Sequence, residues 1–164
     1  MAIEIERKFL VAGDGWRGAE VRSQRLVQGY LTRPGESACS VRVRIGADAA
    51  WLNIKSAVAG IERSEYEYAI PVADAERMLA EFCGRLIEKV RHYVECGGRT
   101  FEIDEFFGDN AGLVVAEIEL DSVDAAFERP SWLGREVSDK LRYYNLHLLQ
   151  HPYSAWTAAE RSGD

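Results

Sequence analysis

Residues 2–11 read AIEIERKFLV, and within that run Glu4, Glu6 and Lys8 recur at every second position. On an extended strand this spacing aims all three at one face, with Ile3 and Ile5 on the other. The same period returns along the chain: SQRLVQGYLT at 23–32, SVRVRIG at 40–46, AWLNIKS at 50–56, IERSEYEYAI at 61–70, RLIEKVRHYVE at 85–95, RTFEIDEFF at 99–107 and LVVAEIEL at 113–120. With the opening run these predict eight strands, by alternation and by β-branched and aromatic content. The clusters between them, RPGES, GADA, AVAG, CGG and GDNAG, are turn-like and mostly short enough for antiparallel hairpins.

Helical spacing is confined to a few places. VADAERMLAEFCG at 72–84 has an acidic first turn and Gly84 as a stop. SVDAAFE, ahead of Pro130, predicts a short helix, and VSDKLRYYNLHLLQ a last one. Residues 153–164 are expected to be a loosely held tail behind a single domain spanning 1–152. Eight strands in one small domain predict a mainly β (α+β) fold, a sandwich or a closed barrel.

Composition excludes several classes. At 47% hydrophobic and 29% charged the chain is ordinarily globular, it has no run of about 20 apolar residues, and no secretory leader is expected. A cytoplasmic protein without membrane contact is expected. Cys39, Cys83 and Cys96 are odd in number and far apart, which fits neither a disulfide framework nor a zinc pair. His147 and His151 are spaced for one helix face but lack the glutamate of HExxH. A net charge of -7 argues against a nonspecific nucleic-acid binder. Trp16, Trp51, Trp132 and Trp156 are expected to seal an outer core or a contact between copies.

The polar face common to these strands collects seven bases (Lys8, Arg42, Arg44, Lys55, Arg63, Lys89, Arg91) and eight acids (Glu4, Glu6, Glu65, Glu67, Glu102, Asp104, Glu117, Glu119). A solvated sheet face is the ordinary explanation of such a surface. Here, however, acids repeat beside acids and bases beside bases. Two carboxylates about 6.7 Å apart along a strand repel by roughly 2.5 kcal/mol at an effective dielectric near 20. Water screens that repulsion, whereas an enclosed space does not. There, a hard divalent cation turns it into attraction, and clustered Arg and Lys ask for an anion such as phosphate. Closing the sheet into a barrel gathers both demands into one lumen.

These residues resemble the CYTH domain, or triphosphate tunnel metalloenzyme, superfamily. Its N-terminal ExExK signature is matched by Glu4, Glu6 and Lys8. In the family's order there follow QGYL with Tyr30, VRVR with Arg42 and Arg44, NIKS with Lys55, EYE with Glu65 and Glu67, EKVRHY with Lys89 and Arg91, and AEIEL with Glu117 and Glu119. The likeness is greatest to short bacterial inorganic triphosphatases. It implies an antiparallel eight-stranded β-barrel or tunnel with a hydrophilic lumen and a few flanking helices, binding inorganic triphosphate with Mg²⁺ or Mn²⁺. By the same resemblance Glu4, Glu6, Glu117 and Glu119 hold the metal. Lys8, Arg42, Arg44, Lys55 and Arg91 cradle phosphate, Lys89 and Tyr30 form a catalytic dyad, and a homodimer is plausible. Many relatives carry a third alternating carboxylate on the last acidic strand, where this chain has Val115 and, beyond Glu119, Asp121. Relatives also include adenylate cyclases, thiamine triphosphatases and RNA 5′-triphosphatases, and a non-catalytic polyphosphate-binding module is a further alternative.

Overall fold

Strand β1 (Ala2–Val11) is hydrogen-bonded on both flanks, to β5 (Glu62–Ile70) and to β8 (Val114–Glu119), and this double pairing closes the sheet. The computed structural model describes residues 2–57 and 61–163. Around the ring run β5, β4 (Ala50–Ser56), β3 (Cys39–Ile45), β2 (Glu20–Tyr30), β6 (Ile87–Cys96), β7 (Arg99–Phe106), β8 and β1, each antiparallel to its neighbours. All eight predicted strands are present, and the eight-stranded barrel is the fold. The AVAG cluster lies, from residue 58 onward, outside the described residues.

A ninth strand that the sequence did not announce, β9 (Leu133–Glu136), lies along the far half of β1. Gly134 makes this possible: a Cβ there would stand 2.9 Å from the Leu10 carbonyl oxygen. The CGG cluster turns β6 into β7 with positive φ at Gly97 (58°) and Gly98 (73°), the backbone a tight hairpin needs and glycine supplies without steric cost.

Directly paired residues of antiparallel strands share a face. The register therefore writes out the interior as one continuous row: Glu4 opposite Arg63, Lys55 opposite Glu65, Asn53 opposite Glu67 and Arg42, Arg44 opposite Gln28, and Arg91 opposite Asp104. Glu117 faces Glu102 on one side and Lys8 on the other. The apolar faces turn outward and form separate cores. One gathers Ile5, Phe9, Val94, Phe101, Ile103 and Ile118 under Trp16, Trp132 and Leu133. Another packs Val43 and Ala50 against Ala75 and Leu79 of α1 (Val72–Phe82), the helix predicted at 72–84.

Expectations for the irregular segments need correction. SVDAAFE is not helical: it is an irregular strap whose Phe127 packs edge-on against Phe9 and Phe101, with ring centroids 5.8 and 6.0 Å apart. A seven-residue helix is costly to nucleate, and committing Phe127 to the core outweighs it. The last helix breaks into a 3-10 turn, Leu141–Tyr143, and α2 (Asn145–Leu148), because Val137, Tyr143 and Leu148 must all enter one apolar cluster with Ile87, Phe106 and Val115. That cluster fills the interior where the charged rows stop. Finally, the residues after Pro152, expected to be loosely held, carry a 3-10 turn and α3 (Ala158–Arg161), capped by Thr157. Trp156, buried there, stacks edge-on with Tyr143 at 4.9 Å. Of the four tryptophans, expected to seal an outer core or a contact between copies, Trp16 and Trp132 lie in the outer cluster and Trp156 in the inner one, whereas Trp51 pairs with Arg44, whose guanidinium lies over its ring at 5.2 Å. Among the described residues no helix is long and apolar enough to cross a membrane.

Candidate active site

The inward rows enclose a cavity of about 930 Å³. Its wall includes every residue to which the sequence assigned a metal-binding or phosphate-binding role, together with Tyr30. Lys89 is the exception. It is 1% exposed, its ammonium is held by Asp104, and it does not line the cavity.

Around Lys89 the interior is a closed network. Arg91 spans Asp104, through Nε to Oδ1 and Nη2 to Oδ2, each at 2.7 Å, and reaches Glu117 Oε2 at 2.7 Å; it also meets Glu102. Lys8 donates to the other oxygen of Glu117 and lies 3.6 Å from Glu6. Burial disfavours every one of these charges, and their partners decide the outcome. Lys8 is raised despite burial, by Glu117 and Glu6, and Arg91 is raised well above its usual value by Asp104 and Glu102. Against its own burial Glu117 is held well below the carboxylate range by Lys8, Arg91 and Lys89. Lys89 goes the other way: burial and the neighbouring Arg91 outweigh Asp104 and bring it down to about 8.

The wall made by β2, β3 and β4 is different. Arg42 is 8% exposed, yet among the described residues it makes neither an ion pair nor a side-chain hydrogen bond, and its Nε is an orphaned donor. Arg44 has one partner, Glu67 Oε2 at 2.9 Å, and its Nε is also orphaned. Burial, then Arg42 and Arg91, lower the Arg44 pKa. Beside them both amide atoms of Gln28 and the Oδ1 of Asn53 lack partners, although both residues are fully buried. A buried cation left unpaired is costly, and Arg42, unpaired, beside the partly paired Arg44 forms a receptor for an anion.

The carboxylates are arranged otherwise. Glu4 accepts from Lys55 at 2.8 Å and Arg63 at 3.2 Å, and Arg63 also lies 3.7 Å from Glu6. Glu119, directly opposite Glu6 across β1 and β8, has no counter-ion among the described residues. Partial burial, then Glu4, Glu102, Glu65 and Glu6, push its pKa up. As placed, no three of the described acidic, histidine or cysteine side chains converge on one point. The donor chemistry nevertheless fits a hard divalent cation, since these are oxygen ligands, and Glu6 and Glu119 stand directly opposite each other on neighbouring strands. His147 and His151 do not share a site: His147 lines the cavity, while His151 pairs with Glu160 at 3.0 Å.

Sequence reading passed over Gln28, Asn53 and Tyr144. The first two were findable, being two residues before Tyr30 and Lys55 on the same faces. Tyr144 carries no such signal, because it comes from the irregular C-terminal segment.

Comparison with known proteins places these features in company. Residues 2–153 match the family model described as the CYTH domain. An inorganic triphosphatase of Acetivibrio thermocellus is 44% identical over 158 residues, 93% of this chain and 97% of that protein. One from Nitrosomonas europaea is 39% identical over 148 residues, 88% of this chain and 95% of its own. A crystal structure of an inorganic triphosphatase superposes with a TM-score of 0.64 at 38% identity, covering 90% of this chain and 95% of that one.

Proposed function

The chain belongs to the CYTH domain family, and from that membership together with the cavity we propose that it hydrolyses inorganic triphosphate to pyrophosphate and orthophosphate with a divalent cation. The observation that carries this reading is Arg42, a buried guanidinium with no intramolecular acceptor, beside the half-satisfied Arg44. A polyphosphate chain supplies the missing acceptors in the fork geometry that guanidinium prefers.

Arg42, Arg44 and Lys55 bind the phosphate oxygens from the β3 and β4 wall, and Lys8 and Arg91 from the opposite one. Glu4, Glu6, Glu117 and Glu119 would hold Mg²⁺ or Mn²⁺, which when bound neutralises phosphoryl oxygens as charge builds on them. Water attacks the terminal phosphorus in line, the bond to the bridging oxygen breaks, and that oxygen leaves on pyrophosphate. The catalytic task is chiefly one of position and charge, which a preformed polar lumen performs without reorganising. Tyr30, paired directly with Arg42 on the neighbouring strand of the same wall, orients the attacking water. Lys89, expected to form a dyad with Tyr30, acts instead through Asp104, which fixes Arg91 by a two-point contact.

Colorimetric phosphate release from tripolyphosphate, ATP, thiamine triphosphate and pyrophosphate, each with Mg²⁺, Mn²⁺ or a chelator, tests the proposal. Tripolyphosphate is expected to turn over fastest, and the chelator to stop it. No release from tripolyphosphate with either metal, or cyclic AMP formed from ATP in preference to phosphate, would overturn it.

A further inference from the structure

The C-terminal segment does more than fill one end of the barrel. It clasps Lys8 from three directions. The Lys8 backbone N–H donates to Ser138 Oγ at 2.9 Å, and its carbonyl accepts from Val137 N–H at 2.8 Å. The ring of Tyr144 stands under the Lys8 ammonium, 5.5 Å from Nζ to the centroid, and the guanidinium of Arg63 lies over the same ring at 5.2 Å. The Tyr144 hydroxyl donates to the Ser138 carbonyl at 2.8 Å, so the residue that grips the Lys8 backbone also fixes the ring. Tyr144 lines the cavity beside both cations.

We propose that Tyr144 is a positioning residue for substrate binding, its ring face holding Lys8 and Arg63 together at the cavity wall. Two cations side by side repel, and the negative face of an aromatic ring attracts both. A ring has a further advantage over a carboxylate in this place. It steers an ammonium without taking a strong hydrogen bond from it and without adding negative charge that would repel an anionic substrate. Glu4 and Glu6 already draw Arg63 toward β1. Tyr144 supplies the remaining restraint, from outside the barrel strands, and so the C-terminal segment becomes part of the site.

The kinetic arm of the test rests on the triphosphatase reading, whereas the spectroscopic arm does not. In the free protein the Lys8 ε-methylene resonances are expected to be shifted upfield by the ring. Tyr144→Phe keeps that shift, while Tyr144→Leu removes it, as does Tyr144→Met, the second variant should the first fail to fold. In turnover, loss of the ring is expected to raise KM for tripolyphosphate on the order of tenfold with a smaller change in kcat, and Phe to restore KM to within about threefold. An unshifted Lys8 in the wild type, an unchanged KM in the ring-less variants, or a Phe variant as impaired as Leu would each overturn the inference. If the wild type does not turn over tripolyphosphate, the function reading fails by itself. Calorimetric binding of tripolyphosphate then decides the present point, equal affinity in wild type and Leu variant counting against it.

Discussion

The two walls of the lumen carry similar side chains and put them in opposite states. On β6, β7 and β8, with Lys8 of β1, the cations Lys8, Lys89 and Arg91 are matched by Glu102, Asp104 and Glu117, and every one of them is engaged. On β2, β3 and β4, Arg42, Gln28 and part of Asn53 and Arg44 are buried without partners. Folding alone satisfies the first wall. The second is satisfied only when something anionic enters. A charged interior is therefore no single feature: one part is neutralised within the fold before any substrate arrives, and the other is left open for an anion.

The largest effect that would break this distinction is on the matched wall. Asp104→Ala leaves Lys89 and Arg91 facing each other in the interior and is expected to cost about 3–5 kcal/mol of stability, read by urea denaturation. A variant as stable as the wild type would show that the network is not structural. On the other wall, Arg42→Ala is expected to lower kcat/KM for tripolyphosphate by about 10²–10³-fold. Because Arg42 has no intramolecular partner to lose, the same variant should unfold within about 1 kcal/mol of the wild type. A large loss of stability with little loss of activity would reverse the assignment of the two walls.

A pH measurement sharpens the comparison further. Lys89 is depressed to about 8 in the folded protein, by burial and Arg91, from an unfolded value near 10.4. Between those values the unfolded chain binds the extra proton, so the Lys89 contribution to stability should rise with pH from about 8 to about 10. Urea midpoints at pH 7.5, 9 and 10 for wild type and Lys89→Met test this, and parallel profiles would contradict it. The smallest effect belongs to Glu119. Its raised pKa means that the ionised form opposes folding, so Glu119→Gln should slightly raise Tm at pH 7, and the gain should fade as the wild-type carboxyl protonates. The same substitution should raise the Mg²⁺ concentration needed for half-maximal turnover.

Much of this molecule was legible from period two alone. Alternation placed Glu4, Glu6, Lys8, Arg42, Arg44, Lys55, Arg91, Glu117 and Glu119 on one face, because a strand sends successive side chains to opposite sides whatever it pairs with. The same rule reached Lys89 but could not say how deep it lies or that Asp104 would claim it, since depth along the lumen depends on the stagger of neighbouring strands. Irregular segments were read poorly for a related reason. The strap carrying Phe127, the broken helix carrying Tyr143 and Tyr144, and the capped end around Trp156 take their shapes from the cores they cover, and that information is held by residues far away in sequence.

What the chain determined by itself was the alternation of charge and apolar residues, hence the strands, their two faces and the inventory of the lumen. Tertiary structure decided which charges neutralise one another and which are left waiting, and it brought Tyr144 beneath Lys8. The physical reason is that a strand's period is local, whereas electrostatic pairing depends on the register of neighbouring strands and on how deeply each charge is removed from water.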